Sequence, residues 1–112
     1  MLAAAREARA FAAGRTEADL SDDWQLTLAL LKCIEIIGEA AARVGEDTRA
    51  KCPAMPWADM VGMRNRLVHA YFDIDLSLLW NTVTGDLPVL IRELEPIIGS
   101  QPPRNSENEA EG

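Results

Sequence analysis

The chain has 112 residues, which is room for one domain and not two. Hydrophobic residues make up 48% and charged residues 26%, an ordinary globular balance. No apolar run approaches the roughly 20 residues of a membrane span, and Met1 is not followed by the apolar stretch of a secretory leader. Two cysteines, Cys33 and Cys52, are too few for a disulfide scaffold. No CxxC or Cys/His cluster marks a metal site, and no pattern calls for a cofactor. A cytoplasmic location is expected. A net charge of −7 weighs against nucleic acid as a partner, unless the basic residues are gathered in one place.

Aromatic residues are only 5%, and long apolar-periodic segments recur without short alternating ones, so an all-α domain is expected. Residues 2–13 read as a first helix closed by Gly14. Residues 15–23 read as an acidic connection, with Ser21 as N-cap of the next helix and Asp22 and Asp23 at its positive end. That second helix should run from about Asp22 to Val44 and stop at Gly45. After its first turn the polar residues Lys32, Glu35, Glu39 and Arg43 fall in one strip about 80° wide. The rest of the helix is apolar and must be covered on several sides. In so small a domain this points to a dimer.

Residues 46–52 fit a short turn or helix. Pro56 suits the start of a third helix, roughly Trp57 to Ala70, and Asp75 can cap a fourth from Leu76 to Leu94. Pro88 should kink or break that helix, and Pro96 and Gly99 should end it. The domain is expected to span 1–99. Residues 100–112 hold three glutamates and a single apolar side chain, Ala110, and are expected to be a disordered acidic tail.

From Met60 to Phe72 there is no acid, yet Arg64 and Arg66 lie there with His69 and Tyr71, the only histidine and the only tyrosine. Met60, Met63 and Leu67 have the spacing of a buried stripe. Asn65 and His69 are four apart and would share a helical face, with Arg66 three before His69. Arg64 and His69 are about 140° apart on an ideal helix, so they meet only through the length of the arginine or where the helix ends.

These residue types suit metal-independent cleavage of RNA. His gives and takes a proton near neutral pH, Arg matches phosphate oxygens, and Asn fixes an imidazole or donates to phosphate. One histidine does not easily make both proton transfers, and a symmetric dimer supplies two. On the residues alone, a solvated His69 and solvated arginines remain the commoner arrangement. Glu39 has two readings. It pairs with Arg43 at i+4 on an exposed strip, or the strip faces the cleft and Glu39 holds an arginine.

The segment Gly62-Met63-Arg64-Asn65-Arg66-Leu67-Val68-His69-Ala70-Tyr71-Phe72-Asp73-Ile74-Asp75 resembles the HEPN-domain toxins of the HepT family, marked by Arg, four residues, His, one residue, Tyr. Ile34-Glu35-Ile36-Ile37-Gly38-Glu39-Ala40-Ala41 resembles the family's second-helix signature. Pro56-Trp57, Leu79-Trp80-Asn81-Thr82-Val83 and Asp86-Leu87-Pro88 are similar too. The likeness covers about residues 20–95. Family members usually have a longer first helix, so the first helix here is expected to be short.

The resemblance implies an up-down helical bundle that dimerises and sets both Arg-x4-His segments around one cleft. It implies a ribonuclease toxin of a type II toxin–antitoxin pair, with Arg64, Asn65 and His69 catalytic and Arg66 and Glu39 in possible support. Its expected partners are a second copy, RNA, and a nucleotidyltransferase antitoxin that silences the toxin by adding AMP to Tyr71. Neither DNA nor a membrane is expected. The alternative is a non-catalytic HEPN-like subunit of a nucleotidyltransferase complex, with Arg64 and Arg66 binding phosphate without turnover. RNA capture would rest on a small cationic cleft, doubled by dimerisation, with little long-range attraction.

Overall fold

A computed structural model describes residues 1–69 and 73–99. Tyr71 and the expected tail at 100–112 lie outside them. The described residues form an all-α bundle. In chain order the helices are α1 (Leu2–Ala12), α2 (Glu17–Asp22), α3 (Trp24–Ala42), α4 (Glu46–Lys51), α5 (Trp57–Leu67) and α6 (Leu76–Asn81). A π-helical turn over Thr82–Asp86 then leads into α7 (Leu87–Gly99).

Helix α1 buries Ala4, Ala5, Ala8 and Ala12 along one stripe. These small side chains let it lie close against α3. Gly14 then takes φ +75°, a left-handed conformation that suits a residue without Cβ. The acidic connection that follows is itself a helix, α2. Asp19 Oδ2 accepts from the Thr16 amide at 2.7 Å, and Arg15 donates to Asp23 Oδ2 at 2.8 Å. The cap of α3 is therefore Asp23, whose Oδ1 accepts from Leu26 N at 3.0 Å, and not the expected Ser21, which sits inside α2.

Helix α3 is the centre of the bundle, flanked by α1, α2, α5 and α6. Leu30, Ile34, Ile37 and Ala41 are completely buried, and each large aliphatic side chain among them contributes about 1.5–3 kcal/mol. The buried Thr27 hydroxyl donates to Leu20 O at 2.8 Å, so its burial leaves no unpaired donor. One face of α3 stays uncovered. Trp24, Leu28 and Ile36 remain 53%, 40% and 40% exposed on it. These residues are only about half covered within a single chain.

Arg6 pairs with Glu95 at 2.6 Å while Arg9 reaches Val83 O at 3.4 Å, so α7 runs antiparallel to α1. Helices α3 and α5 are also antiparallel, with Gly38 against Met60 and Val61, and Glu35 opposite Arg64. Arg49 holds the C-terminus of α3, donating to Ala41 O at 2.8 Å and Val44 O at 3.1 Å, and its guanidinium lies 5.5 Å from the Trp57 ring centre. Trp57 in turn donates to Cys52 O at 3.2 Å. This clip fixes where α5 begins.

Helix α5 buries Met60, Met63 and Leu67, as the spacing requires. It ends three residues earlier than expected. Val68 turns extended and forms an antiparallel bridge with Ile74. The Leu67 carbonyl accepts from the Asp75 amide at 2.8 Å. Asp75 caps α6 as expected, accepting from Leu78 N at 3.0 Å. The break before Pro88 takes the form of the π turn. Leu87 N donates to Thr82 O, five residues back, and Pro88 falls in the first turn of α7, where its missing N–H is tolerated. Helix α7 runs through Pro96 to Gly99.

Candidate active site

Helices α3 and α5 approach so closely at Gly38 that a Cβ there would lie 3.1 Å from Met60 O and 3.4 Å from Val61 O. Beside this crossing opens a cleft of about 320 Å³, lined by Glu35, Gly38, Glu39, Ala42, Val61, Arg64 and Asn65. Three of the expected site residues, Arg64, Asn65 and Glu39, thus share one cleft. The polar strip of α3 forms its opposite wall.

Arg64 is the half-buried centre of this cleft. Its Nε lies 3.7 Å from Glu35 Oε2, too long for a hydrogen bond, and that nitrogen is buried with no other partner. Glu35 is held from its other oxygen by Lys32 Nζ at 2.9 Å. The Lys32 hydrogen bond and charge, with the charge of Arg64 behind them, hold the Glu35 carboxyl below the usual carboxylate range. Lys32 is pushed up in turn, chiefly by Glu35, with Glu39 adding to it.

Glu39 lies on the cleft wall, and no Glu39–Arg43 ion pair forms among the described residues. Glu39 is exposed, as the first reading had it, but without the pairing to Arg43. The strip faces the cleft, but the residue that reaches the arginine is Glu35, one turn earlier. The expectation from sequence named Glu39 and not Glu35, because spacing puts both acids on the strip and the choice between them depends on how far α5 slides along α3. The island without acids is also faced by acids in space. Glu35 and Glu39 stand opposite Arg64, so the cationic cleft expected from the sequence holds for its α5 wall only.

Arg66 is elsewhere. It donates to Asp59 O at 2.9 Å and lines a separate cavity of about 240 Å³ with Met55, Met60, Met63 and Leu90. Two residues along a helix is more than half a turn, so the two arginines of the motif face different spaces. His69 does not share a helical face with Asn65 or Arg66, because α5 has ended. It is exposed just beyond the helix, and its amide donates to Asp73 O at 2.8 Å. The bridge between Val68 and Ile74 pins the backbone on which His69 sits. Among the described residues, no group of three or more His, Cys, Asp or Glu side chains is placed to hold a metal ion, and no helix is long and apolar enough to cross a membrane.

Comparison with known proteins places this architecture. A family model described as ribonuclease HepT-like matches residues 1–97. A candidate RNase of Methanocaldococcus jannaschii is 48% identical over 67 residues, covering 60% of this chain and 62% of that protein. A candidate ribonuclease HepT of Thermococcus cleftensis is 38% identical over 79 residues, covering 70% of this chain and 72% of that one. A second RNase candidate of M. jannaschii is 39% identical over 70 residues, with 62% and 60% covered. The chain therefore spans about three fifths of the length of the two M. jannaschii relatives. No solved structure matches it significantly. With the model covering nearly the whole bundle, including the cleft between α3 and α5, the chain belongs to the HepT-like ribonuclease family.

Proposed function

We propose that the chain is a metal-independent endoribonuclease toxin, acting as a homodimer and paired with a nucleotidyltransferase antitoxin. The observation that carries this reading is the family match together with a cleft that presents Arg64 and Asn65. In the reaction a base takes the proton of the ribose 2′-OH, and the 2′-oxygen attacks the adjacent phosphorus. The bond to the 5′-oxygen breaks and an acid protonates that oxygen, leaving a 2′,3′-cyclic phosphate and a 5′-OH. His69 is the acid/base group, and Arg64 stabilises the charge that builds on the phosphoryl oxygens. Asn65 supports the phosphate.

The second copy is placed against the uncovered face of α3. Trp24, Leu28 and Ile36 are exposed on the same face as Lys32, Glu35 and Glu39. A partner seated there buries this apolar surface and brings a second His69 and Arg64 toward the first. Silencing follows from transfer of AMP to the Tyr71 hydroxyl with release of pyrophosphate from ATP. A bulky anion there would block RNA and offset the cationic charge. In the alternative subunit reading Arg64 and Arg66 would bind phosphate without turnover, each from its own cavity.

The test is cleavage of single-stranded RNA by the purified chain in EDTA. Cleavage is expected, with cyclic phosphate ends, and His69→Ala should abolish it while the melting temperature is kept. Full activity in His69→Ala would sink the assignment.

A further inference from the structure

We propose that Glu35 is the positioning residue for Arg64: its carboxylate takes the Nε–H of the guanidinium and leaves the terminal Nη edge to an anionic substrate group. That the anion is an RNA phosphate rests on the ribonuclease reading. The Glu35–Arg64 pairing does not.

Three observations converge. Arg64 Nε is buried and has no hydrogen bond, yet the side chain as a whole keeps 38% exposure, so the exposed part is not the Nε atom. An arginine has separate donor edges, and a partner on Nε leaves the Nη1/Nη2 pair free to bind two phosphate oxygens side by side. Glu35 Oε2 is 3.7 Å from Nε, while Oε1 is occupied by Lys32 at 2.9 Å. Oε2 is therefore the oxygen turned to Arg64, and a movement of about 0.8 Å brings the pair to the length of a charge-assisted hydrogen bond. Gly38 makes this reach possible. It lies one turn from Glu35 on α3 and lets the α5 backbone come close enough for a glutamate to meet Arg64.

Lys32 completes the device. By holding Oε1 it restrains the carboxylate and keeps it charged. An anion arriving at the Nη edge then draws the guanidinium into a fork with Glu35 behind it and phosphate in front. Without Glu35 the guanidinium would rotate, and the phosphate would be held in poor register.

The experiment compares Glu35→Ala and Glu35→Gln in the full chain, with and without Arg64→Ala. Cleavage of single-stranded RNA is read as kcat and KM separately, and the Arg64 Nε–H is followed by ¹⁵N NMR. Glu35→Ala is expected to lower kcat by about 10²-fold, the penalty of misplacing a catalytic group by about 1 Å. Glu35→Gln keeps an acceptor and should recover part of that loss. In the Arg64→Ala background, Glu35→Ala should have no further effect. With inorganic phosphate present, hydrogen exchange of Arg64 Nε–H should be faster in Glu35→Ala than in the unmodified chain.

Unchanged kcat in Glu35→Ala, or losses that multiply independently of Arg64, would overturn the proposal. So would Nε–H exchange that does not respond to residue 35. If the unmodified chain cuts no RNA but exchange still responds to Glu35, the ribonuclease reading fails and the pairing stands.

Discussion

Gly38 offers a perturbation whose sign separates two explanations. In the interior of a helix, Gly→Ala ordinarily stabilises by about 1 kcal/mol through helix propensity. At Gly38 the added methyl meets backbone carbonyls of α5, at 3.1 Å from Met60 O and 3.4 Å from Val61 O. A helix backbone does not swing aside as a flexible side chain does. The two helices must separate by a few tenths of an ångström, and overpacking of this kind costs about 1–3 kcal/mol. We expect Gly38→Ala to be net destabilising by about 1 kcal/mol, lowering the melting temperature by about 4–8 °C for a domain of this size. Gly85→Ala is the control. Gly85 has nothing within 4 Å of an added Cβ and no left-handed φ, so the same change there should be neutral or stabilising by about 0.5 kcal/mol. Thermal melts by circular dichroism read both. A rise in melting temperature for Gly38→Ala would refute the close-crossing argument, and with it the reason Glu35 reaches Arg64.

Trp24→Glu together with Leu28→Glu should leave the fold intact, since both residues are exposed, and should halve the mass seen by light scattering; an unchanged mass would move the interface elsewhere. Stability should fall in acid. The Thr16 amide, then Arg15, lowers Asp19; Arg15, then the Leu26 amide, lowers Asp23. A lowered folded value means stabilisation present in full above the ordinary carboxylate value of 3.8 and lost as pH falls through the lower folded values. Arg15→Ala should flatten that acid limb. Co-expression with a nucleotidyltransferase of the proposed antitoxin class should add one or more AMP units to the intact mass, and Tyr71→Phe should remove the gain; a gain that persists would place the modification at another residue.

Much of the bundle was legible in the chain because its signals are local. Helical spacing marks the buried stripe of Met60, Met63 and Leu67, and Asp75 and Gly14 are cap and stop signals that act within one turn. The uncovered apolar face of α3 was readable as well, since a helix polar over so narrow a strip needs more cover than one short chain supplies. Two local readings lost to competing local chemistry. Thr16 and Asp19 cap a helix inside the acidic connection, and Asp23 displaces Ser21 as the cap of α3.

The site was less legible, because it depends on distances across the fold. By itself the sequence pointed to an all-α domain resembling this family and placed Arg64, Asn65 and His69 within one six-residue stretch. Only the tertiary structure decided which neighbours those residues have. The bridge from Val68 to Ile74 ends α5 before His69, so i, i+4 geometry no longer applies to it. The register of α5 on α3, set by the bare backbone at Gly38, turns Glu35 rather than Glu39 toward Arg64. Arg66 faces a different cavity for a local reason, since it lies more than half a turn from Arg64 on α5. Periodicity fixes the face a side chain takes, whereas the partner it meets depends on how two helices slide past each other, and no spacing within one helix carries that information.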